Sequence, residues 1–235
     1  MMNRYKYEDH LSYCLGMSLS LEALLHKSEY VKEVILSSKA NKNSQMQELL
    51  ALCHKKNIPY REDDVLIEKL SLKENCYCIA FFEKYSCKPD SDKHILLYGF
   101  DDFGELGTVL RSGVAFDFHD YFLVSSDIDY FDPRCIRASM GSLFQCNIRR
   151  FDDLNAYLNQ YPIYHLYPFV SSYQTEVSQI DFKPPYGIVI CQNENDLNGR
   201  FEETYGIAHK NNSSISLSIR SSIILERAYF SNRKR

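Results

Sequence analysis

No run of apolar residues in the chain approaches the roughly 20 needed to cross a bilayer, so a soluble protein with no membrane partner is expected. A large charge of one sign is also missing. Against 27 Lys and Arg stand 31 Asp and Glu, a formal net charge of −4, which gives none of the sequence-wide basic field that non-specific nucleic-acid binders use. Any contact with RNA must come from a local patch, and a basic partner surface stays open. Glycine-rich nucleotide turns are absent: Gly104, Gly107 and Gly113 lack the Gly-x-Gly-x-x-Gly spacing, and there is neither a Walker loop with its lysine nor a His-Glu-x-x-His helix. A signal-peptide pattern is lacking too, so the eight cysteines, scattered from Cys14 to Cys191, are expected as reduced thiols in a cytoplasmic protein. The nearest pair, Cys76-Tyr77-Cys78, lacks the two-residue spacer that lets thiolates share a zinc ion, and no metal is expected.

What is present is enough apolar material for a real core: 45% of 235 residues. The first third reads as a small α/β unit. Leu11 to Leu25 carries apolar residues at mixed spacings of 3 and 4, which predicts one helix, and Tyr30 to Leu36 reads as a buried strand. Asn43 to Lys56 predicts a second helix, closed by Asn57-Ile58-Pro59-Tyr60 because proline cannot continue it. Asp63 to Leu70 predicts a short helix and Cys76 to Phe82 a strand. From Glu83 to His94 the composition turns Lys-, Asp- and Ser-rich around Pro89, as in an exposed connection. The expected division is a domain at 1–85, a linker at 86–93 and a domain at 94–235. In the second domain, strand-like runs (Ile95–Phe100, Tyr121–Ser125, Asn147–Phe151, Ile163–Val170, Gly187–Cys191) alternate with helix-like ones (Leu106–Phe116, Pro133–Phe144, Leu154–Leu158, Ser216–Phe230). Such alternation predicts a mainly parallel sheet with crossover helices, followed by a basic tail, Asn232-Arg233-Lys234-Arg235.

Several ordered blocks resemble the SpoU/TrmH family of RNA ribose methyltransferases. In the second part they are Gly107-Thr108-Val109-Leu110-Arg111, the stretch Phe131-Asp132-Pro133 to Arg137-Ala138-Ser139-Met140-Gly141, and His165-Leu166-Tyr167-Pro168-Phe169. In the first part Glu29 to Leu36, Asn57 to Tyr60 and Lys73 to Tyr77 are similar to the small substrate-binding domain of the same enzymes. The resemblance implies an α/β fold in which an N-terminal substrate-binding domain precedes a trefoil-knot (SPOUT) domain. It further implies S-adenosylmethionine as methyl donor, a ribose 2′-hydroxyl of rRNA or tRNA as acceptor, and a homodimer formed through the knot.

By resemblance, the first motif falls on Glu105, Gly107 and Arg111, with Arg111 assisting deprotonation of the hydroxyl. Glu105 stands where the family has asparagine, and an ionised carboxylate offers acceptors only; it either pairs with Arg111 or serves as a base of its own. The second motif falls on Gln192, Asn193 and Glu194, after the apolar strand Gly187–Cys191, with Glu194 orienting the catalytic groups and Gln192 replacing a glycine. The third falls on Ser214 to Ser218, with Ser216 in place of asparagine and a short loop between Gly206 and Ser214. Donor contacts carried over by resemblance fall on Gln192, Asn193, Ile207, Ile215 and Leu217, and RNA contacts on Arg137, Ser139, Arg149 and Arg150. Lys55, Lys56, Arg149, Arg150 and Arg220 are candidate phosphate contacts, or simply a solvated face. His165 and His209 are candidate bases or packed side chains, and Asp132-Pro133 is also an ordinary helix start. The departures at Glu105, Gln192 and Ser216 keep three readings open: a donor-using methyltransferase, a catalytically inactive relative that binds RNA or another chain, and a module that binds a different small molecule.

Overall fold

In a computed structural model the chain is described at residues 4–41, 43–71, 75–197, 199–209 and 215–233. Lys73, Glu74, Ser214 and the last two residues of the basic tail, named above, lie outside the described residues. In chain order the elements are β1 (Leu11–Leu15), α1 (Met17–His26), β2 (Val31–Leu36), α2 (Ser44–Lys56), β3 (Tyr60–Glu62), α3 (Asp64–Leu70), β4 (Cys78–Glu83), β5 (Lys93–Tyr98), α4 (Phe103–Ala115), β6 (Asp120–Val124), α5 (Pro133–Ala138), β7 (Asn147–Phe151), α6 (Leu154–Gln160), β8 (His165–Phe169), β9 (Thr175–Glu176), β10 (Tyr186–Cys191), β11 (Tyr205–Gly206) and α7 (Leu217–Arg233). They form two compact units, Met1–Tyr85 with Asp129–Gln145, and Ser86–Ile128 with Cys146–Arg235.

The first unit holds a four-stranded sheet of order β1-β4-β2-β3, antiparallel except for the β2–β3 pair. The single helix expected over Leu11–Leu25 is instead a strand and a helix. Gly16 divides them: its φ of +112° is a conformation that side-chain-bearing residues rarely adopt. Leu24, Val34, Ile35 and Leu49 have no exposed surface, and each contributes on the order of 1.5–3 kcal/mol through its burial. The segment Asp129–Gln145, expected in the second domain, packs on this unit instead. Phe131 and Phe144 set their rings against Phe82 at 5.9 and 5.2 Å, and Ser12 Oγ donates to the Phe131 carbonyl at 2.5 Å. Apolar residues of the segment (Phe131, Cys135, Ile136, Phe144) are all buried, so covering the first sheet removes them from water.

The second unit holds the expected parallel sheet, seven strands in the order β7-β6-β5-β10-β8-β11-β9 and parallel at every pairing. Strands β6 and β10 are buried at every residue, as continuous apolar runs covered on both faces require. Leu96, Phe122 and Val189 meet Leu154 and Tyr157 of α6 on one face, while Gly113 of α4 lies against Tyr121 and Ile95 on the other. Helix starts follow local chemistry. Asp102 and Asp153 accept the N–H groups of Glu105 and Ala156 at 2.7 and 2.8 Å. In the first unit Asp132 does the same for Arg134, with Pro133 in the first turn. Strand β10 comes late in the chain and inserts between β5 and β8. The segments that follow β5, β8 and β10 therefore leave the same edge of the sheet side by side, where open parallel sheets place ligands.

Candidate functional site

Four segments of the second unit meet at that edge. Gln192, the residue after β10, donates its backbone N–H to the Tyr98 carbonyl at the end of β5 at 3.0 Å. Its side-chain Nε2 donates to Glu105 Oε2 in the first turn of α4 at 2.6 Å. Two residues on, Glu194 accepts the Ser171 N–H at 2.6 Å and the Ser171 hydroxyl at 3.0 Å, which ties the segment after β10 to the one after β8. Arg220, in the first turn of α7, also donates to Glu194. Burial of the Glu194 carboxyl opposes its ionisation, but the Ser171 N–H and the Arg220 guanidinium outweigh it, so its pKa lies below the usual carboxylate value.

The sequence left Glu105 either paired with Arg111 or free to act alone, and the structure gives it a third partner, Gln192. The reason is helical geometry. Six residues apart on one helix, Glu105 and Arg111 project about 120° apart and sit about 9 Å apart along the axis, whereas pairs form at spacings of three or four. Arg111 is exposed and, among the described residues, makes no ion pair. Gln192 Oε1 is a buried acceptor that has no hydrogen-bond partner among the described residues.

Of the remaining expected residues, Asn193 is exposed and its side chain reaches Asp196 Oδ1 at 3.5 Å. Ile207 and Ile215 are half-buried, Leu217 is buried, and exposed Ser216 lies 3.4 Å from the Ser218 hydroxyl. The short loop of the third motif falls mainly on residues 210–214, outside the described residues. His209 is exposed with Nδ1 3.0 Å from the Ile207 carbonyl, and exposed His165 sets its ring edge-on to Tyr167 at 4.5 Å.

The expected RNA contacts divide. Ser139 has none of its surface exposed; its hydroxyl donates to the Ile136 carbonyl at 2.9 Å, so it finishes α5 and cannot touch RNA. That corrects its reading as an RNA-binding residue, whereas Arg137, two residues earlier, is exposed. Arg149 is half-buried, stacks on Phe151 and donates to Gln160 Oε1 at 2.9 Å. Arg150 donates to the carbonyls of Ser126, at 2.7 Å, and Ile128. Lys55 and Lys56 are exposed on the last turn of α2. Arg220, read as a phosphate contact, is held by Glu194 instead. Sequence reasoning missed that pair because the two residues stand 26 positions apart and meet only where α7 packs back against α4.

All eight cysteines are free, and Cys14 and Cys78 are pushed up to about 12 by burial. Among the described residues no cluster of His, Cys, Asp and Glu has the geometry of a metal site. No described helix is long and apolar enough to cross a membrane.

Residues 92–201 match the SpoU rRNA Methylase family. No match was found among curated proteins. Among solved structures the chain is similar to the SpoU methyltransferase AviRb from Streptomyces viridochromogenes, in complex with the cofactor AdoMet, at 17% identity over 95% of this chain and 91% of that one, with a TM-score of 0.81. It is also similar to an AdoMet-bound rRNA methyltransferase from Sinorhizobium meliloti (17%, 93% and 87%, TM-score 0.76) and to an RNA 2′-O ribose methyltransferase (17%, 95% and 90%, TM-score 0.76). The resemblance to SpoU/TrmH enzymes read from the motifs is borne out, and so is the α/β fold class with its parallel sheet.

Proposed function

We propose that the chain, which carries a SpoU rRNA Methylase region at residues 92–201, is an RNA 2′-O-ribose methyltransferase that uses S-adenosylmethionine. The observation that carries this reading is the convergence of Glu105, Gln192 and Glu194 at the edge where β10 inserts between β5 and β8. The residues fit such a donor, since Gln192 Oε1 is a buried acceptor without a partner among the described residues and can take an N–H of a ligand. Gln192, Asn193, Ile207, Ile215 and Leu217 would hold the donor, which supplies an electrophilic methyl group on sulfonium. Arg111, exposed and unpaired among the described residues, would face the ribose and stabilise the hydroxyl oxygen as its proton leaves. Glu194, fixed by Ser171 and Arg220, keeps the segment after β10 in place. Arg137, Lys55 and Lys56 are exposed cations suited to phosphate. A trefoil knot in the second unit is in keeping with the late insertion of β10. A homodimer is supported by a groove of about 540 Å³ along α4 and α7, lined by Phe116, Ile219 and Ile223 among others, and the compartment proposed is the cytoplasm.

The hydrogen bond between Gln192 and Glu105 also favours a second reading: a catalytically inactive relative that binds RNA or a second copy, because that bond joins the α4 and β10 sides of the edge. Transfer of labelled methyl groups from S-adenosylmethionine to total RNA separates the two. The first reading requires incorporation that Arg111→Ala abolishes and that appears as 2′-O-methylnucleosides after digestion. The second requires RNA retention without incorporation.

A further inference from the structure

Glu105 and Gln192 are both departures from the motif asparagine and glycine, and the structure joins them by one hydrogen bond of 2.6 Å. Glu105 is half-buried, and among the described residues no cation pairs with it. Because Nε2 of Gln192 is given to Glu105, the amide is oriented with Oε1 as its other group, and that oxygen is buried without a partner among the described residues. Apart from the second Nε2 hydrogen, the pair presents acceptors: one buried amide oxygen and a carboxylate that no cation neutralises among the described residues. In a partly buried setting an uncompensated charge acts over several ångströms, so it discriminates ligands by charge even without touching them.

We propose that the Glu105–Gln192 pair is a charge-selecting element that favours cationic adenosyl ligands, a sulfonium or an ammonium, over the neutral thioether that remains when the methyl group is lost. This rests on the donor-binding reading above. Methyl transfer turns the sulfonium into the thioether, so an anion at this edge holds the loaded donor and lets the spent one leave. The family asparagine, being uncharged, lacks that selection. Gln192 supplies the second part by accepting an N–H from the ligand at Oε1 while its amide buttresses Glu105.

Calorimetric titration of the full chain with S-adenosylmethionine, sinefungin and S-adenosylhomocysteine tests this. The two cationic ligands should bind about tenfold or more tighter than the thioether, and Glu105→Gln should bring all three within about threefold. Equal affinities in the native chain, or a preference that Glu105→Gln leaves intact, would overturn the selector while leaving donor binding standing. Absence of binding by all three ligands would overturn donor binding and the selector together. Should Glu105→Gln misfold, Glu105→Asn, which restores the motif residue, supplies the second test: it should narrow the preference to within about threefold, and a preference that it leaves intact overturns the proposal.

Discussion

Arg220, in the first turn of α7, donates to the carboxylate of Glu194 just past β10, and the same carboxylate accepts the backbone N–H of Ser171 just past β8 at 2.6 Å. Three segments far apart in the chain are thereby fastened at one point. The Arg220 side chain is 14% exposed and that of Glu194 27%, so the pair sits between the surface regime, where ion pairs contribute little, and the buried one, where removing a single partner is costly.

Arg220→Met should therefore destabilise the protein by about 1–3 kcal/mol, seen as a lower midpoint in urea unfolding. Adding Glu194→Gln should recover part of that loss, because the stranded carboxylate is neutralised. A double variant no more stable than Arg220→Met alone would show that the guanidinium acts through packing.

His94 gives the protein an acid-sensitive core. It is 1% exposed, and Phe122, Tyr157 and Tyr164 surround its ring. Its Nε2 lies 2.6 Å from the Tyr157 hydroxyl, and burial lowers its pKa to about 3. The folded value lies below the unfolded one of about 6.5, so between these values the unfolded chain binds the extra proton. Stability should fall as pH drops from 6.5 towards 3, by on the order of 4 kcal/mol from this residue. The depressed Glu194 carboxyl adds to the loss once the pH falls below the usual carboxylate range. Urea unfolding across this interval should show the slope, and His94→Gln should flatten it.

Gly187→Ala tests the same core sterically. A Cβ there would stand 2.5 Å from His94 Nε2 and 2.7 Å from Leu166 Cδ2, and overpacking of this kind costs about 1–3 kcal/mol. Circular dichroism melting should show the drop, which His94→Ala in the same chain should partly relieve.

Ser139→Ala and Arg137→Ala should separate structure from RNA contact. The first removes a buried hydroxyl bonded to Ile136 and should cost about 1 kcal/mol of stability without changing RNA affinity in filter binding. The second removes an exposed cation and should leave the melting temperature unchanged while weakening RNA binding and its salt dependence.

Much of the second unit was legible because strands buried on both faces leave continuous apolar runs, as in Tyr121–Val124 and Ile188–Cys191, and in the first unit Asp132-Pro133 marks the start of α5. Strands β9 and β11 are two residues each and carry no period to read. The division at Gly16 was hidden because Leu11, Cys14 and Leu15 also fit a helical face, and the backbone angle that settles it has no apolar signature. In the site, the motif blocks picked out Glu105, Gln192 and Glu194, but not their partners. That Glu105 cannot reach Arg111 follows from helical spacing alone; that it meets Gln192 depends on β10 returning beside β5, which no local pattern encodes.

This edge of the sheet is proposed to bind the methyl donor despite Glu105, Gln192 and Ser216. Calorimetric titration of the native chain with S-adenosylmethionine tests it most directly. Saturable one-site binding at micromolar donor, weakened about tenfold or more when Gln192→Ala removes the buried acceptor, is the result expected. No heat at millimolar donor would contradict the claim and leave the chain as an inactive relative that kept the fold.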